Sequence, residues 1–261
     1  MRAVLAVLLS VVLVGCSAAR ASVSEDDLIV VGVKADQPGL GFREGGVFRG
    51  FEVDVGTYIA RHIGASRVEF REVRSDNREQ KLNGREVDLV LASYSITPDR
   101  AKLVTFGGPY YVAHQDIMVR HGETRIQNVR DLAGRRMCQA SGSVSTERVV
   151  KGLSIAARLV PGSSYSDCVA KLRGGMVDAV STGDLVLAGF AAQDLKIVNA
   201  PFTDERYGVG LRKGDVDGCE AVNRALTTMY QDGTAGQLLR KWFGKSGIAL
   251  VGEVPQFEGC S

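Results

Sequence analysis

Histidine is scarce in this chain. Only three, His62, His114 and His121, are spread through 261 residues, and none stands beside a cysteine, so a mixed His/Cys zinc site has no ligand set. There is no H-E-x-x-H, no C-x-x-C and no G-x-S-x-G nucleophile elbow. Gly244-Lys245-Ser246 looks like the tail of a phosphate loop, but the glycine required five positions earlier is Leu239. Gly39-x-Gly41 and Gly208-x-Gly210 lack the third glycine of a dinucleotide fingerprint, Glu44 and Lys213 standing in its place. No metal and no cofactor is therefore expected. A surplus of one charge sign is also missing: 32 basic residues face 30 acidic ones, a net charge of +2, which excludes a dedicated nucleic-acid binder. There is no repeat at solenoid spacing, and a 45% hydrophobic content is too high for disorder. Only one stretch is apolar enough to meet a membrane, and it lies at the start.

Arg2 supplies a positive flank, and Ala3 to Val14 is apolar apart from Ser10. This run is too short to cross the roughly 30 Å of a bilayer core as a stable helix, but it suits the apolar region of an export signal. It ends in Leu13-Val14-Gly15-Cys16, which resembles the bacterial lipobox. The resemblance implies a signal peptide over residues 1–15, lipidation of Cys16, a tether over 16–27, and anchoring to the outer face of the cell membrane. Ordinary secretion with a chance cysteine is the alternative. Export places Cys138, Cys168, Cys219 and Cys260 in an oxidising compartment, where an even number implies two disulfides. Three pairings are possible.

From Asp27 the chain alternates short β-branched runs with amphipathic stretches, the pattern of α/β layers. The first block contains a buried strand at Leu28–Val33, a hairpin over Phe42–Phe48, a helix over Asp54–Ile63 stopped by Gly64, and a second buried strand at Val87–Ala92. Thr97 and Pro98 open another helix as N-cap and first residue. The second block has strands at Gln115–Val119, Met137–Gln139, Arg158–Val160 and Val177–Val180, with helices from Ser145, Ser166 and Asp184. Strands near Tyr111–Met118 and Arg206–Leu211 are expected to cross between the blocks, making a hinge with a cleft beside it.

Small donors and cations gather where strands end. Ser93, Ser95, Thr97 and Arg100 follow the Val87–Ala92 strand into a helix. Hydroxyls, backbone N–H groups and a forked guanidinium there would cradle a carboxylate. Ser141-Gly142-Ser143-Val144-Ser145 is a similar turn in the second block, placed to face the other side of the same anion. Asp184 is placed to receive an ammonium group, although alone it reads first as an N-cap. An anion cradle opposite a carboxylate is the complement of a free α-amino acid.

These residues stand among motifs whose order is familiar. Gly50-Phe51-Glu52-Val53-Asp54, Val87-Asp88-Leu89, Ile96-Thr97-Pro98-Asp99-Arg100, Phe106-x-x-Pro109-Tyr110 and Val177-Asp178-Ala179-Val180 resemble the polar amino-acid-binding proteins of ABC importers, from about Leu28 to Phe243. The resemblance implies a type II periplasmic-binding-protein fold of α/β class, with two lobes, two hinge strands and an interlobe ligand cleft. Lobe 1 would be 28–113 plus 208–261, and lobe 2 114–207. That division favours Cys138–Cys168 and Cys219–Cys260, each pair within one lobe. The nearest likeness is to actinobacterial glutamate-binding lipoproteins, through Ser75-Asp76-Asn77-Arg78, Val177–Gly189 and Pro201-Phe202-Thr203. It implies ligand contacts from Ser75, Arg78, Ser93, Ser95 and Arg100, with Asp184 at the ammonium and Lys34 reaching a distal carboxylate. Gly142-Ser143-Val144 stands where relatives carry Gly-Thr-Thr, one hydroxyl short unless Ser145 supplies it, and Tyr165 where several Gram-negative acidic-amino-acid binders carry His. Lys34, Arg78 and Arg100 bring three positive charges to one cleft, favouring L-glutamate or L-aspartate over a neutral side chain that would leave a cation unpaired.

The expected role is that of a monomeric receptor delivering the amino acid to an ABC permease. The same site could serve a sensing partner in the membrane. An exported dehydratase of this fold is a third reading, its general acid drawn from Asp184 or Asp36.

Overall fold

The computed structural model describes residues 22–250 and 252–260. The expected signal peptide, Cys16 and the first part of the tether lie outside these residues.

The central strand is β1 (Leu28–Val33), apolar along its whole length and buried beyond its first residue, as parallel strands covered on both faces are. A small meander follows, β2 (Asp36–Gln37), β3 (Gly41–Glu44) and β4 (Val47–Arg49). Helix α1 (Phe51–His62) then leads to β5 (Arg67–Glu72), α2 (Arg78–Asn83), β6 (Leu89–Leu91) and α3 (Pro98–Ala101). The 17-residue β7 (Val104–Arg120) carries the chain onward. Beyond it lie β8 (Arg136–Ala140), α4 (Ser145–Glu147), a π-helical turn to Gly152, β9 (Arg158–Gly162), α5 (Tyr165–Arg173), β10 (Val180–Gly183), α6 (Asp184–Phe190) and β11 (Leu195–Ile197). The return strand β12 (Thr203–Arg212) precedes α7 (Val216–Gln231) and α8 (Thr234–Phe243).

Strand alternation sorts the layers. Ile29, Val31 and Val33 join a core with Phe51, Val55 and Ile59 of α1 and with Val222 and Leu226 of α7, whereas Val30 joins Leu82, Val87 and Val90 on the opposite face. Helix α1 begins three residues earlier than Asp54. Gly50, at φ 132°, turns the chain so tightly that a Cβ there would sit 2.2 Å from the Leu40 carbonyl, and Phe51 enters the core at once. The strand expected at Val177–Val180 is displaced to Val180–Gly183, with Ala179 contributing only an isolated bridge to Met137.

One sheet runs through both lobes in the order β10–β7–β12–β6–β1–β5, with β11 also on β7. At about 3.3 Å per residue, β7 is about 55 Å long, more than one lobe needs. It pairs antiparallel with β12 from Val104 against Arg212 to Gln115 against Thr203, with a bulge between Tyr207 and Val209. These are the two connecting strands expected from the sequence, and the fold is the two-lobe α/β arrangement with the cleft beside them. Disulfides Cys138–Cys168 and Cys219–Cys260 are the favoured pairs; they tie β8 to α5 and α7 to the carboxyl-terminal tail. That tail lies over the connecting strands: the Glu258 amide donates to the Gly108 carbonyl, and its carboxylate pairs with Arg206.

The lobes are shut on one another. Asp36 accepts from the Ser166 hydroxyl at 3.0 Å, Ser141 donates to Asp76 at 3.1 Å, and a Cβ on Gly189 of α6 would lie 1.9 Å from the Pro38 carbonyl. Alanine favours helices more than glycine, so Gly189→Ala is expected to leave each lobe folded while blocking full closure. Small-angle scattering should give a larger radius of gyration than the unsubstituted chain; an unchanged radius would show that this contact does not limit closure.

Candidate functional site

The cleft lies where β1 and β6 end and α2 and α3 begin, opposite the starts of α4 and α5. Crevices outside the carboxyl ends of strands are where α/β sheets bind ligands. The inner pocket is lined by Ser75, Arg78, Ser93, Ser95 and Arg100 from one lobe, and by Ser143, Ser145, Tyr165 and Thr182 from the other, with Glu205 of β12 at its floor. It encloses about 10 Å³, room for a single water at most, so an organic ligand enters only when the lobes part. A larger cavity of about 430 Å³ adjoins it, meeting it at Ser75 and Tyr165 and bordered by Lys34.

Local structure explains how each group is held. Thr97 caps α3, its hydroxyl accepting from the Arg100 amide, with Pro98 in the first position. The Arg100 guanidinium donates to the Ser95 carbonyl at 2.8 Å and across the cleft to the Gly142 carbonyl at 3.0 Å. Arg78 is 1% exposed. Its guanidinium stacks 3.9 Å from the centre of the Tyr94 ring and donates to the Ala92 carbonyl, while Arg100 lies 5.3 Å from the same ring. Glu79 braces all three: its Oε1 accepts from the Tyr94 hydroxyl at 2.7 Å and lies 3.5 Å from Arg78 and 3.9 Å from Arg100. Burial opposes the charge on Glu79, but Arg78, the Tyr94 hydroxyl and Arg100 outweigh it and hold its pKa below the ordinary value.

Ser93 sits at φ +44°, a left-handed conformation costly for a side-chain-bearing residue. The buried Glu52 carboxylate accepts the Ser93 amide at 2.6 Å and also the Tyr110 hydroxyl, which holds this turn in place. Burial raises the Glu52 pKa despite these bonds. In the second lobe the hydroxyls form a chain. Ser143 and Tyr165 share a 2.6 Å bond, and Tyr165 donates to Ser145 at 3.1 Å.

The pocket is electropositive. Burial first, then repulsion from Arg78, lowers the Arg100 pKa to about 10. Lys34 is 4% exposed, and its ammonium donates to Ser75 at 2.6 Å. Burial above all, followed by Arg78, lowers its pKa to about 7.

The structure brings Lys34, Ser75, Arg78, Ser93, Ser95, Arg100, Gly142, Ser143, Ser145 and Tyr165 to the pocket or its rim. Asp184 is the exception. Its carboxylate accepts from the Leu185 amide and the Tyr111 hydroxyl behind the pocket, and burial raises its pKa to about 6. The Tyr207 hydroxyl packs against the neighbouring Gly183, so close that a Cβ there would meet it at 2.1 Å. Nor is Asp184 the N-cap of α6, a position held by Gly183.

The acid that does reach the pocket is Glu205, 2% exposed, which accepts from Ser95 at 2.7 Å and Ser145 at 3.3 Å and pairs with Arg148. Sequence reasoning missed it by starting that strand at Arg206 or Tyr207. The signal was present, because Glu205 falls in phase with Tyr207, Val209 and Leu211 on the buried face of β12. Among the described residues no group of three or more His, Cys, Asp or Glu side chains is placed to hold a metal ion.

Residues 29–245 match the bacterial extracellular solute-binding proteins, family 3. The chain is 38% identical over 247 positions to the glutamate-binding protein GluB of Corynebacterium glutamicum, covering 88% of this chain and 83% of that protein. It is 30% identical over 229 positions to the ABC transporter glutamine-binding protein GlnH of Bacillus subtilis, covering 85% and 83%. Among solved structures, an ancestral arginine-binding protein bound to arginine superposes with a TM-score of 0.77 at 33% identity, over 84% of this chain and 99% of that one. The ancestral amino acid-binding protein AncCDT-1, a precursor of cyclohexadienyl dehydratase, gives 0.77 at 29%, over 85% and 100%.

An anion seated beside Lys34 would raise its lowered pKa, so binding takes up a proton wherever the free site is neutral. Affinity for an anionic ligand is therefore expected to be level below about pH 7, where Lys34 is already charged. Above that it should weaken by up to about tenfold per pH unit. Calorimetry in buffers of differing ionisation enthalpy checks this, and Lys34→Met should abolish the dependence; a level profile from pH 6 to 9 in the unsubstituted chain would place Lys34 away from the ligand.

Proposed function

The chain belongs to the bacterial extracellular solute-binding proteins, family 3, and from that premise we propose that it is the exported receptor of an ABC importer, binding L-glutamate, or L-aspartate, by lobe closure. The observation that carries this reading is the placing of Arg78 and Arg100, both nearly buried, in one pocket lined by a single acid, Glu205, with the buried Lys34 bound to Ser75 where that pocket meets the adjoining cavity. Glutamate is an ammonium with two carboxylates. Arg100, with the hydroxyls of Ser95, Ser143 and Ser145, takes the α-carboxylate, and Glu205 takes the ammonium in place of Asp184. Arg78, Ser75 and Lys34 face the distal carboxylate. The likeness to GluB supports the same ligand. The likeness to glutamine-binding GlnH makes glutamine the competitor, but a neutral amide would leave a desolvated cation unanswered.

Closure follows from the ligand bridging both lobes, which it does only when the cleft is shut. The shut form then docks on the permease. The hinge is placed within β7 and β12, with 28–113 and 208–261 as one lobe and 114–207 as the other. Cys16 carries the lipid that holds the receptor, acting as a monomer, at the outer face of the membrane. A dehydratase reading has less support, since Asp36 is engaged with Ser166 and Asp184 lies behind the pocket.

Arg100→Ala is expected to weaken glutamate binding by about 2–5 kcal/mol, the range for truncating one partner of a buried charge pair, as measured by titration calorimetry. Wild-type affinity in that variant would reject the cradle. Glu205→Gln should cost at least about tenfold in affinity, the worth of one charged hydrogen bond, and Asp184→Asn less than about threefold. The reverse order would return the ammonium to Asp184.

A further inference from the structure

Beyond Lys34 and Ser75 on its border, the adjoining cavity has no task in the binding of glutamate. It keeps about 430 Å³ with the lobes shut, whereas the inner pocket closes almost completely. The two meet at Ser75 and Tyr165, and Lys34 borders the larger one, on the side where the distal end of the ligand lies. Interlobe bonds flank it, Asp36 to Ser166 and Ser141 to Asp76, so closure walls the cavity without filling it. Its lining is polar and of mixed charge. Arg74 is held 3.0 Å from Asp76, and Ser163 and Ser164 stand at the start of α5.

We propose that this receptor also takes α-amino acids whose second carboxylate is carried on a longer polar tail, of which γ-glutamyl dipeptides are the type, the tail occupying the adjoining cavity. This rests on the glutamate reading of the inner pocket. Such a molecule has the same charges as glutamate, one ammonium and two carboxylates, with one carboxylate displaced outward by an amide unit. The γ-carbonyl oxygen accepts from Ser75 at the neck. Lys34 borders the outer cavity, so its ammonium serves a carboxylate there as it would serve the nearer one of glutamate. The amide N–H and the terminal carboxylate find the hydroxyls of Ser163 and Ser164 and the guanidinium of Arg74. An apolar tail has no such partners, and glutamine, with an amide but no second carboxylate, leaves Lys34 unanswered.

Calorimetry on the full-length chain with L-glutamate, γ-L-glutamylglycine, α-L-glutamylglycine and L-glutamine tests this. The γ-linked dipeptide is expected to bind within about tenfold of glutamate, a difference of about 1.4 kcal/mol. The α-linked isomer, whose α-carboxylate is blocked, should not bind. Ser163→Trp, which fills the cavity from an exposed position, should weaken the γ-linked dipeptide at least about tenfold and glutamate less than about threefold. Glutamate binding thus reports that the variant is folded. If glutamate binds and γ-L-glutamylglycine does not, the proposal falls and the glutamate reading stands. Equal losses of both ligands in Ser163→Trp also overturn it, and failure of both ligands in the unsubstituted chain removes the inner-pocket assignment and the proposal together.

Discussion

Two guanidinium groups resting on one tyrosine ring set the terms for the rest of the molecule. Arg78 and Arg100 approach Tyr94 at 3.9 and 5.3 Å, and Glu79 lies within 4 Å of both. Like charges gathered on one ring repel unless the field is neutralised. The lowered pKa of Arg100 and of Lys34 records that repulsion together with burial. The arrangement persists because Glu79, the tyrosine face and backbone carbonyls are each held by the packed lobe around them. Against the two arginines that line the pocket stands one lining acid, Glu205, which is itself paired with Arg148.

The two halves of the pocket are chemically unequal. The lobe built on β1 and β6 contributes lysine and arginine; its partner contributes the hydroxyls of Ser143, Ser145, Tyr165 and Thr182 and the Gly142 carbonyl. A charged ligand therefore has its strongest attraction to one half, and neutral donors then complete its shell as the lobes meet. Glu205 belongs to neither half in this sense, since it rides on β12, one of the two strands that connect them. An acid so placed stands both in the pocket wall and on a strand that both lobes share.

Much of this was legible beforehand, for identifiable reasons. The apolar run Leu28–Val33, the Thr97-Pro98 helix start and the division of the chain into two α/β blocks rest on local chemistry, and local chemistry is what a sequence displays. Ser75, Arg78, Ser93, Ser95 and Arg100 were found because each lies just beyond a strand or within a short motif. That Glu205 lines the pocket and Asp184 does not was hidden because the difference is tertiary. It depends on Tyr207 filling the space beside Gly183, a contact between strands with no trace in local spacing. Glu79 and Glu52 were overlooked for a related cause: each acts on a residue that faces the pocket while lying outside its wall. The early start of α1 turned on Gly50 fitting against Leu40, again a meeting of distant backbone.

The tail that follows α8 lies across the two strands that connect the lobes. Its end is fixed to α7 by Cys219–Cys260, while Glu258 holds Gly108 and Arg206 on the two connecting strands. The segment thus clasps both connecting strands from outside the cleft, and reduction of Cys219–Cys260 would release that clasp without touching a residue that lines the pocket.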